Sequence, residues 1–174
     1  MRTEQKITDI ISAEPEKWIH LRELARRSRT SPNTVKAYVK KETKKGTLKT
    51  KKEGNMVLYK ANMENEDYTT RKRLSNISKI FDSGTVKHLD KYYNHPQAIV
   101  LFGSYSKGED ISTSDIDIAV ITPEKKRPDL NRYEKILKRK IELSLFTNKD
   151  ISKEFFNNLI NGFVLKGFLK DERL

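Results

Sequence analysis

The chain has 174 residues and carries 36 Lys plus Arg against 24 Asp plus Glu, a formal net charge of +12 that suits a polyanionic partner. It contains no cysteine, which excludes a disulfide scaffold, a thiolate zinc site and a cysteine nucleophile. The length allows one domain or two small ones, and no apolar run approaches the ~18 residues of a spanning helix, so a cytoplasmic protein with no membrane partner is expected.

The positive charge is unevenly placed. Residues 1–62 hold 16 Lys plus Arg and 7 Asp plus Glu, whereas residues 63–174 hold 20 and 17, so the two segments carry +9 and +3. That asymmetry predicts two jobs, with the N-terminal segment contacting phosphate backbones. Ile7, Ile10 and Ile11 recur at helical spacing before Pro15 and predict a first amphipathic helix. After Trp18 and Ile19, Leu21, Leu24 and Ala25 give LRELARRS an apolar face and predict a second. Arg29-Thr30-Ser31 makes a turn, and Ser31-Pro32 supplies an N-cap followed by proline at the first helical position. A third helix runs through NTVKAYVKKETKK, buries Val35 and Val39, and stops at Gly46, which can take the left-handed C-terminal conformation. The extended runs LKTKK and MVLYKA, joined by Glu53-Gly54-Asn55, predict a hairpin.

Helix, turn, helix and basic hairpin in this order resemble the winged helix-turn-helix domains of prokaryotic transcription regulators over residues 3–62. The resemblance implies that the helix starting at Pro32 enters the major groove of double-stranded DNA, where Asn33, Thr34, Lys36 and Ala37 face base edges beside Ser31. Arg29, Lys40 and Lys41 would then meet phosphates, and Lys49, Lys51 and Lys52 would reach an adjacent backbone or minor groove from the wing. Such regulators commonly read two half-sites, so a homodimer is expected.

The polar stretch ANMENEDYTT predicts an exposed junction near residues 62–70. Residues 71–94 read as two helical pieces broken at Ser83-Gly84, with Leu74, Ile77 and Phe81 on one packing stripe and Val86, Leu89 and Tyr93 on another. Tyr92 is expected to pack beside Tyr93. After His95-Pro96, the apolar run AIVLF predicts a buried strand that ends abruptly in Gly103-Ser104. Gly103 lets the backbone approach a bulky anion, and Ser104 with the following amides could open a short helix pointing N–H groups at phosphates. The polar loop YSKGEDISTS follows, and then Asp115-Ile116-Asp117 opens a second strand, IAVIT. Two residues apart on a strand, Asp115 and Asp117 leave the same face, while Ile116 and Ile118 point into the layer behind. Crowded carboxylates repel unless neutralised, and Mg²⁺ takes oxygen ligands from such a pair. In KIELSLFT, Ile141, Leu143 and Leu145 alternate inward with Glu142 and Ser144 outward, which places Glu142 as a third carboxylate. Ser106, Glu109, Asp110 and Ser114 are expected as loop and capping residues, and His20, His88 and His95 lack metal-ligand spacing.

Strand, Gly-Ser, polar loop, Asp-x-Asp on a second strand and an acidic residue on a third resemble the minimal, stand-alone nucleotidyltransferases of the polymerase-beta superfamily. The stretch HPQAIVLFGSYSKGEDISTSDIDIAVIT carries the likeness, and INGFVLKGFL resembles the family's last helix and turn. The resemblance implies that Gly103 and Ser104 form the phosphate-cradling turn. It makes Asp115 and Asp117 ligands of two Mg²⁺ ions, and Glu142, where the family mostly has Asp, the residue that completes the second metal site. Lys107 stands where the family often has a basic residue; it either neutralises a triphosphate oxygen or lies on the surface.

The expected architecture is therefore α/β (α+β), with a winged helix-turn-helix domain over 1–66, a helical linker over 67–84 and a small mixed-sheet nucleotidyltransferase domain with flanking helices over 85–174. The expected activity is Mg²⁺-dependent transfer of a nucleoside monophosphate from a nucleoside triphosphate, with ATP the expected donor, to a hydroxyl acceptor, coupled to DNA binding. Two rival readings stand beside it. One is a DNA-binding regulator whose C-terminal half only senses nucleotide or binds a partner. The other, implied by the family resemblance, is an antitoxin that acts on a small helical toxin.

Overall fold

The computed structural model describes residues 3–147 and 151–170. The chain divides into two compact units, residues 1–72 and 73–174.

In the first unit, α1 (Thr3–Ala13), β1 (Ile19–His20), α2 (Leu21–Ser28) and α3 (Pro32–Lys44) precede a hairpin of β2 (Leu48–Glu53) and β3 (Met56–Ala61). Local capping chemistry sets the helix ends. His20 Nδ1 accepts the Arg22 amide at the start of α2, and Arg29 closes that helix in the left-handed region at φ 53°. Ser31 Oγ accepts the Thr34 amide at 3.2 Å, and Pro32, which has no amide proton to leave unsatisfied, opens α3. Gly46 stops α3 at φ 75°, where a Cβ would be strained. The three strands form an antiparallel sheet in the order β1-β3-β2. Ile7, Ile11, Leu24, Val35 and Val39 are all buried in one core with Ile19, Leu48 and Ala61 of the strands, so the helical spacings of the sequence do mark inward faces.

The helix α4 (Glu66–Ser83) carries the chain through the division between the units and covers most of the expected linker. In the second unit follow α5 (Thr85–Tyr92), β4 (Ala98–Phe102), α6 (Gly103–Lys107), β5 (Ile116–Ile121), α7 (Asn131–Leu137), β6 (Ile141–Phe146), α8 (Lys153–Ile160) and β7 (Phe163–Gly167). The four strands form one mixed sheet in the order β6-β5-β4-β7, with β5 and β6 parallel and the other pairs antiparallel. One face buries Ile99, Leu101, Ile116, Ile118 and Leu143 in the main core with Ile80 and Leu89. The other buries Ala98, Val100 and Ala119 against Leu159. Burial on both faces explains why AIVLF and IAVI read as unbroken apolar runs.

Two sequence expectations are corrected here. Leu74 and Phe81 are 62% and 44% exposed, while Ile77 and Ile80 are buried. The buried Asn76 turns this face of α4 inward by donating to the Tyr105 carbonyl and to Asp110, which moves Leu74 and Phe81 round to solvent. Tyr92 and Tyr93 do pack together, their ring centroids 4.9 Å apart in an edge-to-face arrangement, although Tyr92 is 42% exposed; Tyr93 is buried, its hydroxyl donating to the Lys126 carbonyl. The segment INGFVLKGFL is mainly strand β7 rather than a helix and turn. Alternation of Phe163 and Leu165 onto the main core, and the otherwise bare edge of β4, favour an added strand. Gly162 permits it, because a Cβ there would lie 2.5 Å from the Leu101 carbonyl oxygen.

Candidate active site

The site is built where β4 ends and β5 begins. Ile116 and Ile118 are fully buried, so the pleat turns Asp117 to the opposite face. Antiparallel pairing sets Phe102 beside Asp117 on one side, and parallel pairing sets Glu142 beside it on the other. Register therefore delivers Asp117 and Glu142 to adjacent positions on one face. Asp115 stands just before β5 and is exposed, as is Glu142. Burial, reinforced by the charges of Asp115 and Glu142, raises the Asp117 carboxyl above its ordinary range. Among the described residues, no cation is a cause acting against that rise.

Gly103 has a steric reason to be glycine. It sits at φ 71°, and a Cβ built on it would lie 2.1 Å from Asp117 Oδ2. Backbone and carboxylate thus occupy the space a side chain would need. Ser104 follows, half-buried, and Ser106 Oγ donates to the Gly103 carbonyl at 2.8 Å, which fixes the turn. Lys107 ends α6 and is exposed.

The loop between α6 and β5 is held by buried groups from distant segments of the chain. Asp110 is buried, accepts from Asn76 Nδ2 at 2.7 Å and lies 3.5 Å from Arg139. Arg139 also donates to the Ile111 and Ser114 carbonyls. At the start of β6, Glu134 accepts the Ile141 amide at 2.9 Å. These roles depend on contacts between distant segments, and only the Asn and Arg in otherwise apolar or lysine-rich surroundings hinted at them. A separate pocket, lined in part by His95, Gln97, Thr122 and Glu124, opens at the opposite ends of β4 and β5 and includes none of Asp115, Asp117 and Glu142.

Mg²⁺ is implied by the family resemblance, and the donor set suits it: three carboxylates offer hard oxygen ligands, and their mutual repulsion would be relieved by a divalent cation. Among the described residues, no three His, Asp or Glu side chains are gathered closely enough to hold an ion. Asp115 and Glu142 would have to close on Asp117 for a complete site.

In the first unit, Ser31, Asn33, Thr34, Lys36, Ala37 and Lys40 are exposed on α3, and Arg29 is exposed just before it. The Ser31 and Thr34 hydroxyls share a hydrogen bond of 2.8 Å, so both serve the cap. Lys41 pairs with Glu4 at 3.1 Å, Lys49 with Glu64 at 2.8 Å and Lys51 with Glu53 at 3.1 Å, while Lys52 is exposed on the wing. The structure adds Lys60, which pairs across the hairpin with Lys49 and lies with Lys51 over the Trp18 ring. Strand parity in MVLYKA was the available signal.

A winged-helix unit and a mixed-sheet unit with a Gly-Ser turn facing strand carboxylates define a regulator-type DNA-binding module joined to a nucleotidyltransferase. The comparisons agree. Residues 3–97 match the penicillinase repressor family, and residues 85–167 match the polymerase beta nucleotidyltransferase family. A putative protein adenylyltransferase of Methanocaldococcus jannaschii is 36% identical over 96 residues, which span 51% of this chain and 92% of that protein. The chain belongs to the polymerase beta nucleotidyltransferase family and carries a repressor-type winged helix at its N-terminus. Among the described residues, no helix is long and apolar enough to cross a membrane.

Proposed function

We propose that the protein transfers the adenylyl group of ATP to a hydroxyl on a protein, and that its N-terminal unit binds double-stranded DNA. The observation that carries the proposal is the register of Asp117 with Glu142, with Gly103 packed against the Asp117 carboxylate. The adenylyltransferase name of the archaeal relative supports ATP as donor and protein as acceptor.

In the proposed reaction the acceptor oxygen forms a bond to the α-phosphorus, the bond from that phosphorus to the bridging oxygen breaks, and pyrophosphate leaves with the electron pair. Asp115 and Asp117 would hold two Mg²⁺ ions with Glu142 completing the second site. When bound, the ions supply positive charge that offsets the triphosphate and the leaving pyrophosphate. The absent side chain at Gly103 lets the Asp117 carboxylate lie directly against the turn that leads into Ser104. Lys107 offers a further positive charge at the end of α6. Glu142, exposed at the outer side of Asp117, takes the proton from the acceptor hydroxyl.

The likeness of residues 3–97 to the penicillinase repressor family favours a second reading, in which the C-terminal unit binds nucleotide or a partner without chemistry and the DNA-binding unit does the work. Incubation of the full chain with Mg²⁺, ATP labelled at the α-phosphate and cell lysate separates the two. A labelled protein identifies the acceptor and supports transfer. Label appearing on a co-purified small helical protein would make that protein the partner. No label on any macromolecule, with duplex binding retained, would leave the regulator.

A further inference from the structure

We infer that Arg139 is a positioning residue for the transfer chemistry, fixing the loop that delivers Asp115 against the strand that delivers Glu142. The inference rests on the transfer reading above and adds the group that sets the spacing of its carboxylates.

The Arg139 guanidinium donates to the carbonyls of Ile111 and Ser114, and Ser114 immediately precedes Asp115. Arg139 itself lies three residues before Glu142, and the next carbonyl, that of Lys140, accepts the Ile116 amide at 2.9 Å. One side chain therefore ties the neighbour of the first carboxylate to the approach of the third. The tie is buried: the Arg139 and Asp110 side chains are 10% and 2% exposed, with 3.5 Å between their charged groups. Asp110 accepts from Asn76, and Asn76 also donates to the Tyr105 carbonyl in α6 at 3.0 Å. The network thus reaches the loop before β5, the entry to β6 and the short helix that carries Ser104 and Lys107.

The chemistry calls for arginine. Its planar fork of five donors can serve two carbonyls and a carboxylate at once, whereas the compact ammonium of lysine cannot span the same positions. A buried ion pair with only a bracing role would lower the melting temperature when broken and leave ligand affinity alone. Groups that orient metal-binding side chains from behind typically change affinity 10–100-fold when altered.

The test compares the full wild-type chain with Arg139→Lys at a temperature where both are folded. Hydrogen exchange reads the amides of residues 109–115 without ligand, and calorimetry reads binding of ATP with Mg²⁺. Exchange in the loop is expected to quicken about tenfold while the β4 and β5 amides are unchanged, and affinity is expected to fall about 10–100-fold. Methylguanidinium should restore part of the affinity of Arg139→Ala. Wild-type affinity in Arg139→Lys, whatever its melting temperature, overturns the positioning role and leaves the transfer reading intact. Failure of the wild type itself to bind ATP with Mg²⁺ sinks that reading and this inference with it. Should Arg139→Lys not fold, Asp110→Asn, which keeps the shape and the Asn76 hydrogen bond but removes the charge facing Arg139, is judged by the same two measurements.

Discussion

Replacing Gly103 by alanine asks the chain to place a methyl group where the Asp117 carboxylate lies. The added carbon would sit 2.1 Å from Oδ2 and 3.0 Å from Cγ, well inside the ~3.5 Å at which non-bonded atoms rest, so the carboxylate must swing away. Two costs add. A side chain held at φ 71° costs about 1–2 kcal/mol, and forcing a packed neighbour aside costs about 1–3 kcal/mol. The expected loss of about 2–5 kcal/mol corresponds to a melting temperature lower by at least about 8 °C in a unit of this size. Gly84→Ala is the internal control, because Gly84 has φ 81° with its nearest neighbour, Tyr133 Cε1, 4.0 Å away. It bears the backbone cost of about 1–2 kcal/mol without a clash. Thermal melts of both variants, followed by calorimetric titration with Mg²⁺ and ATP, read stability and site together. Gly84→Ala should bind like the wild type, and Gly103→Ala should bind at least about tenfold more weakly because Asp117 has been displaced. If Gly103→Ala melts no lower than Gly84→Ala, or keeps wild-type affinity, Gly103 does not support Asp117 in the way its geometry implies.

Asp117→Asn should behave oppositely in stability. Burial, Asp115 and Glu142 raise the folded carboxyl above its unfolded value, so the stabilising contribution of its proton is greatest in acid and is lost as pH rises through the folded pKa. The ligand-free variant should therefore melt at or above the wild type at neutral pH, with the difference closing as pH falls to the unfolded value, while ATP binding with Mg²⁺ collapses; a variant that melts lower at neutral pH contradicts this. Glu142→Gln should slow labelled adenylyl transfer far more than it weakens ATP binding, and equal losses in both would argue against a role in accepting the proton. For the N-terminal unit, changing Lys49, Lys51 and Lys52 together to Ala should weaken all duplexes alike and flatten the salt dependence, by up to ~0.9 in log–log slope per lost phosphate contact. Glu64→Gln, which releases Lys49 from its ion pair, should tighten non-specific binding, and Asn33→Ala should change preference among sequences; gel shifts at two salt concentrations check all three.

Much of this protein follows from local chemistry and was legible in the chain. Ser31-Pro32 starts a helix because a hydroxyl caps its free amides and proline lacks one, and the third helix stops at Gly46 because glycine tolerates positive φ. The two-residue period of Ile116, Asp117 and Ile118 assigns a buried and an outward face without any partner strand being known. What parity leaves open is register. That Glu142 lies beside Asp117, rather than two residues along, is decided when β5 and β6 pair, since hydrogen bonds between strands can form equally well in several alignments until side chains fill the core. Helix α4 shows the same limit: its apolar residues span more than one face, and the hydrogen bonds of Asn76 to Tyr105 and Asp110 choose Ile80 over Leu74 for burial. INGFVLKGFL became a strand because β4 had an edge to satisfy, a need that lies outside the segment itself. Arg139 and Asp110, 29 positions apart, are joined only in the folded chain, because a buried charge must find its partner wherever the tertiary structure brings one.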